Sequence, residues 1–199
     1  MPIHSITVYC SSSAQLAPSY FTAAEATGKA LAANNWSLVY GGNSCGLMKT
    51  VADAVRSAGG KVIGITPQLM VDKKLHDTLA DELVITNTMR DRKALMEERG
   101  DAFLTLPGGL GTFEEIFEII VGKQLGYHAK PIVLLNVNGY FDPLLQMIEH
   151  GIEQQFIKPC SRELYFVTST VDEAVGHFKS YHPAKMTDKW TTDVPSAVE

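Results

Sequence analysis

A chain of 199 residues with 45% hydrophobic residues can bury one substantial core without disulfide or metal staples. Its net charge of −5 and lack of a basic block argue against nucleic acid as a partner. Cys10, Cys45 and Cys160 are odd in number and widely spaced, which excludes a disulfide framework or a zinc pattern and points to reduced thiols.

Short apolar runs then alternate with longer amphipathic ones. Residues 5–10 predict a strand, and 18–34 a helix with Pro18 in its first turn. A strand at 37–40 leads through a tight loop at 41–46 into a helix at 47–58, which Gly59-Gly60 ends. Strands follow at 61–65 and 82–86, with a helix at 89–99. The alternation continues through 102–106, 112–125, 132–135, 142–154, 164–167 and 171–181. Strands this apolar are buried on both faces, so the expected fold is one α/β domain over 1–181, with a mostly parallel sheet and helices on both faces. Residues 182–199 are polar without periodicity and are expected to form a disordered tail. No leader pattern precedes Ile3 and no apolar run reaches membrane-spanning length, so a cytoplasmic protein without a membrane partner is expected.

In a parallel sheet, ligands bind beyond the carboxyl ends of the strands. Three loops there carry chemistry: Ser11-Ser12-Ser13, 41–46 and 107–112. The 41–46 loop resembles a triphosphate loop but has Leu47 where that motif needs Lys. Gly109-x-Gly111 is followed by Glu114 where a dinucleotide fingerprint needs Gly. The string Pro107-Gly108-Gly109-Leu110-Gly111-Thr112-Phe113-Glu114-Glu115 sits between strand and helix, where bare N–H groups suit an anion such as phosphate. Thr112 and Glu115 also fit a capping box, which would tie up the Glu115 carboxylate. Phe113, Ile116, Phe117 and Ile120 predict the apolar face of that helix, with Glu115 roughly opposite. Upstream, Met89-Arg90-Asp91-Arg92-Lys93 puts three cations at a helix start, against its dipole. The pattern reads either as a solvated helix end or as an anion clamp. The six histidines show no ligand spacing, so no metal is expected.

Together these motifs resemble the "lonely guy" family, the cytokinin riboside 5′-monophosphate phosphoribohydrolases, which an older label often calls lysine decarboxylases. The resemblance rests on Gly46-Leu47-Met48, Arg92 through Met96, Pro107 through Glu115, Lys130-Pro131 and Leu134 through Leu144. It implies a Rossmann-like homodimer with its site near the subunit interface and no cofactor. The implied reaction cleaves the N-glycosidic bond of N6-modified adenosine 5′-monophosphates, and of AMP, into free base and ribose 5-phosphate. Arg92 and Glu115 map onto the family's catalytic pair. Ser12, Gly42, Met89, Lys93, Gly108, Gly109, Gly111 and Thr112 are the expected substrate-binding residues. Lys49, Lys74 and Arg90 depart from the family pattern. A decarboxylase would need a pyridoxal-binding lysine, for which no context is visible. The alternative reading is a nucleotide-binding or sensing protein of the same fold with little turnover.

Overall fold

The structure, a computed structural model, describes residues 2–183; the remainder of the expected tail lies outside the described residues. Seven strands alternate with helices in chain order. They run β1 Ser5–Tyr9, α1 Pro18–Ala33, β2 Ser37–Tyr40, α2 Gly46–Ser57, β3 Val62–Pro67, α3 Gln68–Asp72 and β4 Glu82–Thr86. The second half runs α4 Met89–Arg99, β5 Ala102–Thr105, α5 Leu110–Gln124, β6 Ile132–Leu135, α6 Asp142–Glu153, β7 Phe166–Thr168 and α7 Val171–Ser180.

All strand pairs are parallel, in the order β4-β3-β2-β1-β5-β6-β7. The pleat sends alternate side chains to opposite faces. Ile6, Val8, Leu38, Tyr40 and Leu104 join Leu31, Leu47, Val51 and Phe178 in a core beneath α1, α2 and α7. Tyr9, Val39, Ile65 and Phe103 join Met96, Ile116, Ile119 and Phe141 in a second core beneath α4, α5 and α6. Both faces are therefore dry, as the apolar strands require.

The pattern missed α3 and the 3-10 turns Val137–Gly139 and Pro159–Leu164. The five residues of α3 bury none of their side chains, so no periodicity could announce it. Leu164, expected to open the last strand, lies in the second 3-10 turn. The strand order reverses beside β1, whose neighbours are β2 and β5. The loops after β1 and β5 thus diverge and leave a crevice between them.

Candidate active site

The loop after β5 builds one wall. Helix α5 begins at Leu110 with Gly109 as its cap, and no side chain caps it. Phe113 makes the first intrahelical bond, to the Gly109 carbonyl at 3.0 Å. The N–H groups of Leu110, Gly111 and Thr112 are the orphans of that helix start and suit an anion. A Cβ added to Gly109 or Gly111 would meet nothing within 4 Å, so both glycines face open space. The capping box that Thr112 and Glu115 fit by spacing does not form. The helix starts two residues earlier than the pattern suggests, which leaves Thr112 inside the first turn and frees Glu115 to bond elsewhere.

The expected apolar face of α5 also needs correcting. Ile116, Ile119 and Ile120 are buried together with Glu115, while Phe117 is 42% exposed. The charged residue lies on the core side because a buried cation meets it there.

That cation comes from α4. The capping box belongs to this helix: Asp91 N–H donates to Thr88 Oγ1 at 3.1 Å, and Thr88 N–H to Asp91 Oδ2 at 3.1 Å. Asp91 offsets the cations that follow it. The solvated reading fails for Arg92 and Lys93, which are 7% and 8% exposed. Arg92 Nη1 donates to Glu115 Oε1 at 2.9 Å, and Nε to the Ile65 carbonyl at 3.1 Å. Lys93 Nζ lies 2.7 Å from Glu114 Oε1 and 3.0 Å from Glu118 Oε2, so its charge is already matched by two carboxylates. Burial raises the Glu115 pKa above its ordinary value, although Arg92 pulls it down. Among the described residues only Oε1 of Glu115 has a hydrogen-bond partner. Its other oxygen is free for a ligand.

A cavity of about 380 Å³ opens over this pair, across the carboxyl ends of β3, β2, β1 and β5. Of the residues singled out in the sequence, Ser12, Met89, Arg92, Lys93, Gly109, Gly111, Thr112 and Glu115 line it. Gly42 and Gly108 do not. Gly42 sits at φ +65° with its Cα side packed towards Thr66, and its carbonyl accepts from Asp77 N–H at 2.8 Å. A Cβ on Gly108 would fall 2.1 Å from Thr112 Oγ1, and the Gly108 carbonyl accepts from Tyr140 OH at 2.5 Å.

Gly41 and Asn43, from the 41–46 loop, and Met48, from the Gly46-Leu47-Met48 signature, also line the cavity without having been named as site residues, and sequence reasoning missed Pro67 and Met70 altogether. Pro67 ends a strand and was findable by the strand-end rule. Met70 lies on the unannounced helix α3. Of the departures, Lys49 pairs with Asp53 on its own helix, Arg90 is exposed, and Lys74 does not line the cavity. No group of three or more His, Cys, Asp or Glu side chains able to hold a metal occurs among the described residues. Burial holds the Cys10 thiol far above its usual pKa, so it contributes surface, not a nucleophile.

A family profile described as "Possible lysine decarboxylase" matches residues 48–178. A cytokinin riboside 5′-monophosphate phosphoribohydrolase of Arabidopsis thaliana is 43% identical over 178 residues, covering 89% of this chain and 83% of that protein. The enzyme of the same name from Rhodococcoides fascians is 42% identical, covering 88% of this chain and 89% of that protein. Among solved structures, the molybdenum cofactor binding protein from Rippkaea orientalis superposes with a TM-score of 0.70 at 22% identity, covering 90% of this chain and 98% of that one. That likeness shows the fold alone. The matches to the profile and to the two enzymes span both walls of the cavity, and with them the chain belongs to the family of cytokinin riboside 5′-monophosphate phosphoribohydrolases.

Proposed function

We propose that this chain hydrolyses the N-glycosidic bond of N6-modified adenosine 5′-monophosphates, and of AMP, to the free base and ribose 5-phosphate. The observation that carries the reading is the buried Arg92–Glu115 pair, 2.9 Å apart, on the floor of a cavity whose rim is an uncapped helix N-terminus. The family's activity and this chemistry coincide.

The 5′-phosphate binds the N–H groups of Leu110, Gly111 and Thr112, with the Ser12 and Thr112 hydroxyls beside them. Glu115 lies one helical turn further along α5, a rise of about 5 Å, where the anomeric carbon of a bound nucleotide would sit. Cleavage builds positive charge on the sugar. The free oxygen of Glu115 stabilises that charge or takes a proton from the attacking water. Water forms the new C1′–O bond as the C1′–N9 bond breaks, and the base leaves with the electron pair and gains a proton. Arg92 faces the same space and neutralises charge on the leaving base. No metal or cofactor enters this scheme.

The reading includes a homodimer in the cytoplasm. Phe117, Val121 and Leu125 form an exposed apolar ridge along α5 at four-residue spacing, and Leu110 at the head of the helix is 85% exposed. Such a ridge suits a second copy. Sedimentation of wild type against Val121→Glu tests this, a monomeric wild type being the refuting result. The three free cysteines suit a reducing compartment. No helix among the described residues is long and apolar enough to cross a membrane.

The activity test is incubation of the purified protein with N6-isopentenyl-AMP and AMP, followed by chromatography of the released base. Glu115→Gln should lower turnover by at least about 100-fold, the usual range for a general base. Turnover unchanged in that variant removes Glu115 from the chemistry. Nucleotide binding with no release of base by wild type would favour the sensing reading.

A further inference from the structure

Resting on the hydrolase reading, we infer that Tyr140 is a positioning residue for the 5′-phosphate. Its hydroxyl holds the Gly108–Gly109 peptide in the orientation that aims the Gly109 N–H at the active-site cavity.

Gly108 and Gly109 flank a peptide with no Cβ on either side, so side-chain sterics do not set its plane. Its carbonyl is fixed from outside instead. Tyr140 OH donates to Gly108 O at 2.5 Å, and one residue earlier Ser11 N–H donates to the Pro107 carbonyl at 3.3 Å. A trans peptide is planar, with its C=O and N–H pointing opposite ways. The Gly109 N–H therefore points away from Tyr140, and it has no partner among the described residues.

A second cavity defines the two directions. It measures about 200 Å³, lies behind the glycine loop and is lined by Leu16, Tyr20, Pro107 and Tyr140. Ser11 and Gly109 line both this cavity and the larger one, while Gly108 and Tyr140 line only the smaller. The loop is thus a thin wall between two spaces. Its Gly108 carbonyl faces the rear and its Gly109 N–H the front, beside the free N–H groups of Leu110, Gly111 and Thr112. Turned over, the same peptide would aim a carbonyl oxygen at the phosphate, and a donor would become a repulsive acceptor.

Tyr140 is held firmly enough to set that choice. It follows β6 through the 3-10 turn Val137–Gly139, where Asn138 and Gly139 take φ of 55° and 70°. Asn138 Nδ2 donates to Ser19 Oγ at 2.8 Å, and Asn136 Oδ1 accepts from Phe141 N–H at 2.7 Å. The Tyr140 ring stacks on Phe113 in the first turn of α5, with centroids 6.5 Å apart, and meets Tyr20 of α1 edge-on at 6.1 Å. Among the described residues the Gly108 carbonyl is the one hydrogen-bond partner of its hydroxyl.

Tyr140→Phe keeps the ring and removes the hydroxyl. KM for AMP should rise about 10-fold or more, the scale of one hydrogen bond to a charged group, with kcat little changed. Ribose 5-phosphate and adenine, used as inhibitors, separate the two halves of the site. The variant should raise Ki for the first by a similar factor and leave Ki for the second unchanged. The Tyr20 hydroxyl makes no hydrogen bond among the described residues, so Tyr20→Phe is the matched control and should leave both constants alone. A packing role for Tyr140 would weaken both inhibitors alike. That result overturns the inference, as does ribose 5-phosphate bound by Tyr140→Phe as tightly as by wild type. A measurement on wild type covers a variant that fails to fold. The Gly109 amide resonance should shift on adding ribose 5-phosphate and stay in place with adenine; an amide indifferent to ribose 5-phosphate overturns the inference. If wild type cleaves no nucleotide, the hydrolase reading fails by itself. Calorimetric Kd values of ribose 5-phosphate and adenine for wild type and Tyr140→Phe then carry the same comparison, and a wild type that does not bind ribose 5-phosphate overturns the inference too.

Discussion

Two glycine loops open helices at the carboxyl edge of this sheet, and their glycines serve opposite ends. In the loop after β5, Gly109 and Gly111 border open space; their missing side chains make room for a ligand. In the loop after β2, the glycines make room for the protein. A Cβ on Gly41 would fall 1.9 Å from Arg92 Nη2, and one on Gly46, at φ +58°, would fall 2.5 Å from Ser12 C and Ser13 O. A hydrogen-bonded chain braces this second loop from below. Tyr40 OH donates to Asp77 Oδ2 at 2.6 Å, Arg56 Nη1 to the same oxygen at 2.7 Å, and Arg56 Nη2 to Asp53 Oδ1 at 2.6 Å. Asp77 in turn holds the Gly42 carbonyl. Glycine density alone thus does not mark a ligand loop. What the absent Cβ would have touched does.

Substitutions can break or sharpen that contrast. The largest effect should come from the residue both loops serve. Arg92→Ala should abolish turnover, and it leaves the Glu115 carboxylate buried without its partner, which costs on the order of 3 kcal/mol of stability. Steady-state kinetics and a urea melt read the two effects separately, and near-normal kinetics would remove Arg92 from the site. Gly41→Ala should come next, with a loss in kcat of about 10-fold or more, because the new methyl occupies the space of the guanidinium. The same variant should move the acid limb of the pH–rate profile upward. Glu115 acts as the carboxylate, so activity falls as pH drops through its pKa, which burial raises and Arg92 restrains. Weakening that restraint raises the pKa further. An unmoved limb would show that Gly41 does not position Arg92. Gly111→Ala should do the reverse. Its Cβ has room and its position is helical, so the fold should gain about 0.4–1 kcal/mol. KM should nevertheless rise, because the methyl intrudes on the bound phosphate. If Gly111→Ala destabilises the fold and leaves KM alone, the two loops are alike after all.

Much of the architecture was legible from the chain. Strands at Glu82–Thr86 and Ile132–Leu135 and the helix Met89–Arg99 fall on the residues the pattern predicts, since buried parallel strands and amphipathic helices write their periods locally. The glycine loop proposed to hold phosphate was legible for the same reason: strand, glycines and helix start are contiguous. The state of Glu115 was not. Thr112-x-x-Glu115 satisfies a capping box by spacing, and so does Thr88-x-x-Asp91, yet only the second forms. Choosing between them requires knowing that a buried guanidinium competes for the carboxylate.

What the sequence determined by itself is a parallel α/β sheet with a glycine-rich helix start at its carboxyl edge, because both follow from neighbours within a few residues. Only the tertiary structure decided which charges meet. Helix α4 is the crossover from the edge strand β4 to the interior strand β5, and it packs along β3, β2 and β1 on the way. That path carries Arg92 under Gly41 and against Glu115, 23 residues away in the chain. It also turns Lys93 onto Glu114 and Glu118. Burial then makes the pairing obligatory, since an unmatched charge at that depth would cost more than the ordering of both side chains.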